Sequence, residues 1–129
     1  MRHKLKRLAE LNTWVQKSSN VIRNLITSLI KSWEIVTTPK RAKVLKSEID
    51  KLFSSLLNQF NKYQDEKDVK REVIRIVKSI IYTEEEWKKV ANDLLMRYKK
   101  EWKTCWFTND YKLWFRAWDS VEKILVRLV

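Results

Sequence analysis

Apolar residues recur at helical spacing through most of this chain and lose that spacing near its end, and this change of period limits the folds open to it. From Ile22 they fall at positions 22, 25, 26, 29, 30 and 33. That stripe puts Ile22, Leu25, Ile26, Leu29, Ile30 and Trp33 on one face of a helix over about 14–32. Glu34-Ile35-Val36-Thr37-Thr38 is short and β-branched, which predicts a strand. Thr38 before Pro39 marks a helix start, because threonine can cap and proline suits a first turn whose N–H has no partner. The second helix runs to about Tyr63, with Ala42, Leu45, Ile49, Leu52, Phe53, Leu56, Leu57 and Phe60 as its core stripe.

The polar run Gln64-Asp65-Glu66-Lys67-Asp68 ends it, and a third helix follows over about 68–81 through Val73, Ile74, Val77 and Ile80. Thr83 with Glu86 has the pattern of a capping box. A fourth helix extends from there to about Glu101, burying Trp87, Val90, Ala91, Leu94 and Tyr98. After Lys103 the period is gone. The aromatic-rich stretch 105–115 and the apolar, partly β-branched end 124–129 predict two strands. One early strand and two late ones give an α+β class, a two-layer domain with about four helices on one face of a small three-stranded mixed sheet. Residues 1–12 are expected to form a basic N-terminal tail and 13–129 a single domain, a size that suits one core.

Charge narrows the function. The formal net charge is +12 and the pI about 9.9. Residues 1–43 hold ten cations against Glu10 and Glu34, so eight of the twelve net charges sit in the first third. Such asymmetry favours a polyanionic partner over an ordinary solvated face. No apolar run approaches bilayer length, and Arg23 with Asn24 interrupts the best candidate, so no transmembrane segment is expected.

Catalytic and metal chemistry find little to work with. Cys105 is the single cysteine and His3 the single histidine, which excludes an intramolecular disulfide and leaves too few ligands for structural zinc. Cys105 is expected to pack as a small hydrophobe and His3 to lie at a surface or against RNA. With no paired nucleophile and base and no glycine-rich phosphate loop, the sequence predicts no enzyme, no catalytic or metal site, no cofactor and no small-molecule substrate.

Several short segments then fall in one order. Met1-Arg2-His3-Lys4 opens the chain; Arg23-Asn24-Leu25-Ile26-Thr27-Ser28-Leu29-Ile30 leads to Ile35-Val36-Thr37-Thr38 and Arg41-Ala42-Lys43. Arg97-Tyr98-Lys99, Phe107-Thr108 with Tyr111-Lys112-Leu113, Arg116-Ala117-Trp118-Asp119 and Val126-Arg127-Leu128-Val129 follow. In this order and spacing the chain resembles, over nearly its whole length, the bacterial-type large-subunit ribosomal protein family numbered seventeen. It departs from that pattern at Arg7-Leu8-Ala9-Glu10, where the family has a basic, glycine-containing tail, and at Val15-Gln16-Lys17-Ser18, where the family's first helix starts.

The resemblance implies a structural protein on large-subunit rRNA at the solvent side, near the rim of the peptide exit tunnel, beside neighbouring large-subunit ribosomal proteins. Expected RNA contacts are Arg2, His3, Lys4, Lys6, Arg7, Arg23, Asn24, Thr37, Thr38, Lys40, Arg41, Lys43, Arg97, Lys99 and Arg116. Cations neutralise phosphates and release counterions, hydroxyls and amides bond phosphate and sugar oxygens, and the start of the second helix favours an anion. Two single-residue readings stay open: Thr38 contacts RNA or only caps its helix, and Asn24 contacts RNA or bonds within the domain. The ribosome is expected to be that of a mitochondrion or of an AT-rich, reduced bacterium.

The resemblance also places Trp33, Trp106, Trp114 and Trp118 where glycine is usual, in a chain with seven tryptophans and no glycine. Either tryptophan has replaced glycine through neighbouring codons, or a UGA codon that means glycine has been translated as tryptophan. Glycine-like backbone geometry is expected at some of these sites. An aromatic cluster in the core or at an interface is a sufficient account of Trp87 and Trp102. The alternative function is a basic helical interaction module for an acidic protein or a membrane surface. Against it, the apolar stripes belong to core faces in several helices rather than to one bare amphipathic helix.

Overall fold

In the computed structural model, which describes residues 15–129, the first stripe becomes α1 (Val15–Ser32), with Ile26, Leu29 and Ile30 buried and Ile22 and Leu25 packed at the edge. The strand β1 (Glu34–Thr37) follows at once, and Pro39 opens the long helix α2 (Pro39–Lys62). Ala42, Val44, Leu45, Ile49, Leu52, Phe53 and Leu56 of α2 are buried, while Leu57 and Phe60 pack at the margin of the core. α3 (Glu66–Ile80) buries Val69, Val73 and Val77, four residues apart and so on one face.

The fourth helical run comes in three pieces: α4 (Glu84–Lys89), a π-helical turn over Val90–Leu94, and α5 (Leu95–Lys100). The Leu95 N–H bonds the Val90 carbonyl, five residues back instead of four. The extra residue rotates the face that follows it. Leu95 is therefore buried beside Val90, Leu94 and Tyr98, while Ala91, expected in the core, is only partly covered.

β2 (Thr108–Phe115) and β3 (Glu122–Leu128) complete a sheet of order β1-β3-β2. The class is α+β in the expected element order, but the sheet is antiparallel throughout rather than mixed. β2 and β3 are joined by a short reversal, which only antiparallel strands allow. β1 takes the other edge of β3, pairing Ile35 with Val126 and Thr37 with Ile124. Ile124, Val126 and Leu128 alternate toward the helices and are buried, so the helices cover one face. β2 is nearly all exposed beyond Thr108, and its register shifts between Lys112 and Phe115.

Phe53, Tyr98 and Phe107 join α2, α5 and the approach to β2, with ring centroids 4.9–5.2 Å apart. Tyr98 Oη donates to the Val129 carbonyl oxygen at 3.0 Å, tying α5 to the chain end. Burial pushes its phenol pKa up to about 12.

Neither expected side-chain cap forms. Thr38 and Thr83 occupy N-cap positions in extended conformation, yet only their carbonyls bond the following turn, to Ala42 N and Trp87 N. The acidic first turn of α4, with Glu84 paired to Lys88 at 2.6 Å, meets the helix dipole instead. Cys105 is exposed, not packed; it lies in the turn-rich link between α5 and β2, outside every core stripe.

Positive φ occurs at four described non-glycine residues: Trp33 at 66°, Trp102 at 54°, Trp106 at 62° and Ser120 at 54°. Glycine-like geometry, expected at some of the four sites, is found at 33 and 106 and not at 114 or 118. Trp114 lies within a strand, and the β2–β3 reversal places its left-handed residue at Ser120. Trp102 is exposed and left-handed, so an aromatic cluster does not account for it.

Candidate RNA-binding surface

The start of α2 gathers the most compact set of expected contacts. Thr37 ends β1, Thr38 is the N-cap, and Pro39 supplies a first turn with no N–H to satisfy. Lys40, Arg41 and Lys43 follow within that turn and the next, with no acidic residue in the first turn. Arg41 and Lys43 are exposed and Lys40 is half-buried. Lys40 and Lys43 stand three residues apart and so on neighbouring positions of one face. None of the three makes an ion pair among the described residues. The Thr38 hydroxyl makes no cap bond. Helix N–H groups without a side-chain cap, the positive end of a 24-residue helix and three cations thus lie together, a combination that favours an anion.

Arg23 is employed differently. Its Nε donates to the Ile80 carbonyl at 3.1 Å, and its guanidinium lies 4.1 Å from the Tyr82 ring centroid. It closes the end of α3 against α1. Thr27 assists, its hydroxyl donating to the Arg23 carbonyl and accepting from Tyr82 N. Asn24, next to Arg23, is exposed on α1.

The expected contacts of the second half are also engaged within the fold. Arg97 Nε bonds Glu101 Oε1 at 3.2 Å, and Lys99 Nζ sits 3.9 Å from the Phe60 ring centroid. Arg116 grips Asp119 with two bonds of 3.0 and 2.5 Å across the β2–β3 reversal, where Asp119 also accepts from Val121 N. The structure therefore brings Thr37, Thr38, Lys40, Arg41 and Lys43 together and leaves Arg23, Arg97, Lys99 and Arg116 in separate local roles. Arg2, His3, Lys4, Lys6 and Arg7 lie outside the described residues.

Other polar anchors carried no signal in the sequence. Lys89 Nζ donates to the Ile30 carbonyl at 2.9 Å, placing a cation at the negative end of α1. Asp50 Oδ1 accepts from Phe107 N at 3.2 Å. Each joins residues more than fifty positions apart, so no local pattern announces it. Lys46, one turn past Lys43, lies 4.5 Å from the Trp106 ring centroid. Desolvation raises the Asp110 pKa, an effect the Lys46 charge opposes and Asp50 reinforces. Two carboxylates beside Lys46 make that stretch of α2 a poorer seat for phosphate than its first turn.

Among the described residues no group of three or more histidine, cysteine, aspartate or glutamate side chains is placed to hold a metal ion, and no helix is long and apolar enough to cross a membrane.

The family model described as ribosomal protein L17 matches residues 21–129. A curated relative, the large ribosomal subunit protein bL17 of Desulforudis audaxviator (strain MP104C), is 30% identical over 109 residues, covering 84% of this chain and 87% of the relative. Both departures noted at residues 7–10 and 15–18 precede the range matched by the family model, whereas the start of α2 and all three strands lie within it.

Proposed function

This chain belongs to the ribosomal protein L17 family, and on that premise we propose that it is a structural constituent of the large ribosomal subunit that binds and stabilises large-subunit rRNA. The observation that carries the RNA-binding step is the start of α2, where Lys40, Arg41 and Lys43 lie within the first two turns, beside helix N–H groups that no side chain caps and with no carboxylate in the first turn. Phosphate contacts of this kind position a protein on folded RNA without reading its sequence. Residues 1–12 are proposed to add their cations to this interaction, ahead of a domain spanning 13–129. Arg2, His3, Lys4, Lys6 and Arg7 are its proposed contacts, with Asn24, Thr37 and Thr38 adding hydrogen bonds from the domain.

The location is the solvent side near the rim of the exit tunnel, beside neighbouring large-subunit proteins. The proposed ribosome is that of a mitochondrion or of an AT-rich, reduced bacterium, and the bacterial source of the matched relative supports the second. Binding without chemistry is all this role requires.

Ultraviolet crosslinking of the native protein in cell extract, with sequencing of bound RNA across a sucrose gradient, tests the reading. Crosslinks to large-subunit rRNA are expected in the large-subunit and whole-ribosome fractions, with crosslinked peptides spanning 37–43. Absence from those fractions, with no rRNA attached, would overturn it.

A further inference from the structure

We infer that positions 33, 102 and 106, written here as tryptophan, are glycine in the protein made by its own cell, where the UGA triplet at those positions is read as glycine. The backbone carries the argument. Three of the four described residues with positive φ are tryptophans. For an L-residue with a bulky side chain this region crowds Cβ against the adjoining carbonyl, while glycine enters it freely.

The setting of each is one that glycine ordinarily fills. Trp102 follows α5 with its N–H on the Lys99 carbonyl at 3.3 Å, and the next residue, Lys103, bonds the Tyr98 carbonyl at 3.1 Å. These are the two bonds of a Schellman ending, whose left-handed residue is usually glycine. Trp33 is the first residue beyond α1 and turns the chain into β1, its carbonyl accepting from Leu128 N at 3.0 Å. Trp106 turns the link into buried Phe107.

Their side chains gain little in return. Trp102 is 90% exposed, Trp106 64% and Trp33 40%. Composition agrees: 129 residues of average usage would hold about nine glycines, and this chain has none beside seven tryptophans. Trp87 is the internal contrast. It is helical, partly buried against the core, and lies beneath Lys78 at 4.8 Å, as a true tryptophan would. Trp114 and Trp118 are as exposed as the others but have no positive φ, so the inference stops short of them. Glycine at 33 and 106 would also remove the rings beneath Lys89 and Lys46, while Lys89 keeps its bond to the Ile30 carbonyl.

Two readings decide the matter. The gene is expected to carry UGA at 33, 102 and 106 and UGG at 87; UGG at any of the three overturns the inference for that position. Peptide mass spectrometry of the protein isolated from its own cells is then expected to give glycine masses at all three positions and a tryptophan mass at 87. Tryptophan masses at 33, 102 and 106 would overturn it whatever the codon. Neither result depends on whether the protein is found on rRNA.

Discussion

A single residue's backbone angle can cost more than its side chain returns, and Trp102 shows this most plainly. Its indole is almost fully solvated, so replacement by glycine removes little packing while relieving a left-handed conformation. In the chain as written, Trp102→Gly should raise unfolding free energy by about 1 kcal/mol, whereas Trp102→Ala should change it little, since alanine keeps the Cβ. Urea midpoints at constant m-value check both. Tyr98 gives the opposite case, a residue whose burial is the point. Its folded pKa is about 12 against an ordinary 10, so between these values the unfolded chain has lost a proton that the folded chain keeps. Stability is full below pH 10 and falls as pH rises toward 12. Tyr98→Phe should lose about 1 kcal/mol with the Val129 bond at neutral pH, and its stability should decline less steeply above pH 10. A fall as steep as that of the unsubstituted chain would mean that the phenol does not remain protonated in the fold.

At the scale of elements, α2 separates its work by face. One side holds Leu45, Ile49, Phe53 and Leu56 in the core, and the first two turns hold three cations that make no ion pair among the described residues. Changing Lys40, Arg41 and Lys43 together to alanine should weaken rRNA binding and lower the slope of log K against log salt by about 0.7–0.9 for each phosphate left without its cation. Arg116→Ala, which releases Asp119 in the hairpin reversal, should leave that slope within error and cost about 0.2–1 kcal/mol of stability. Filter binding across a salt series distinguishes the two. The stripe of α2 was visible in sequence because its period is unbroken over six turns. The fourth helical run was less so, because the π turn at Val90–Leu94 inserts a residue and moves Leu95 inward in place of Ala91. A pattern read at 3.6 residues per turn has no means of detecting such a shift before packing selects it.

For the whole molecule, the contact of Phe53 with Tyr98 and Phe107 joins the long helix, the end of the fourth helical run and the late strands. All three rings are fully buried. Phe53→Ala should therefore cost about 3–5 kcal/mol and lower the single unfolding transition seen by circular dichroism, rather than melt one element alone. Two separate transitions would show that the helices and the sheet are only loosely coupled. The sheet depends on such couplings: β1 reaches β3 across some ninety residues, and Arg127 closes the pairing on Glu34 at 2.9 Å.

The sequence by itself determined the helices, the late change to strands, the α+β class and the concentration of positive charge, since each follows from local period or from composition. It also marked the start of α2, because proline after threonine has few other places to stand. Only the tertiary structure decided which cations have a partner within the protein. Arg23, Arg97 and Arg116 look in sequence like Lys40, Arg41 and Lys43, and differ only in whether a carbonyl, a ring or a carboxylate has been folded against them. It decided the strand order too, since β3 meets β1 through hydrogen bonds that no neighbouring residue anticipates. Local pattern is written at separations of three or four residues; partners fifty to ninety residues away are chosen by burial, when the helices close over one face of the sheet.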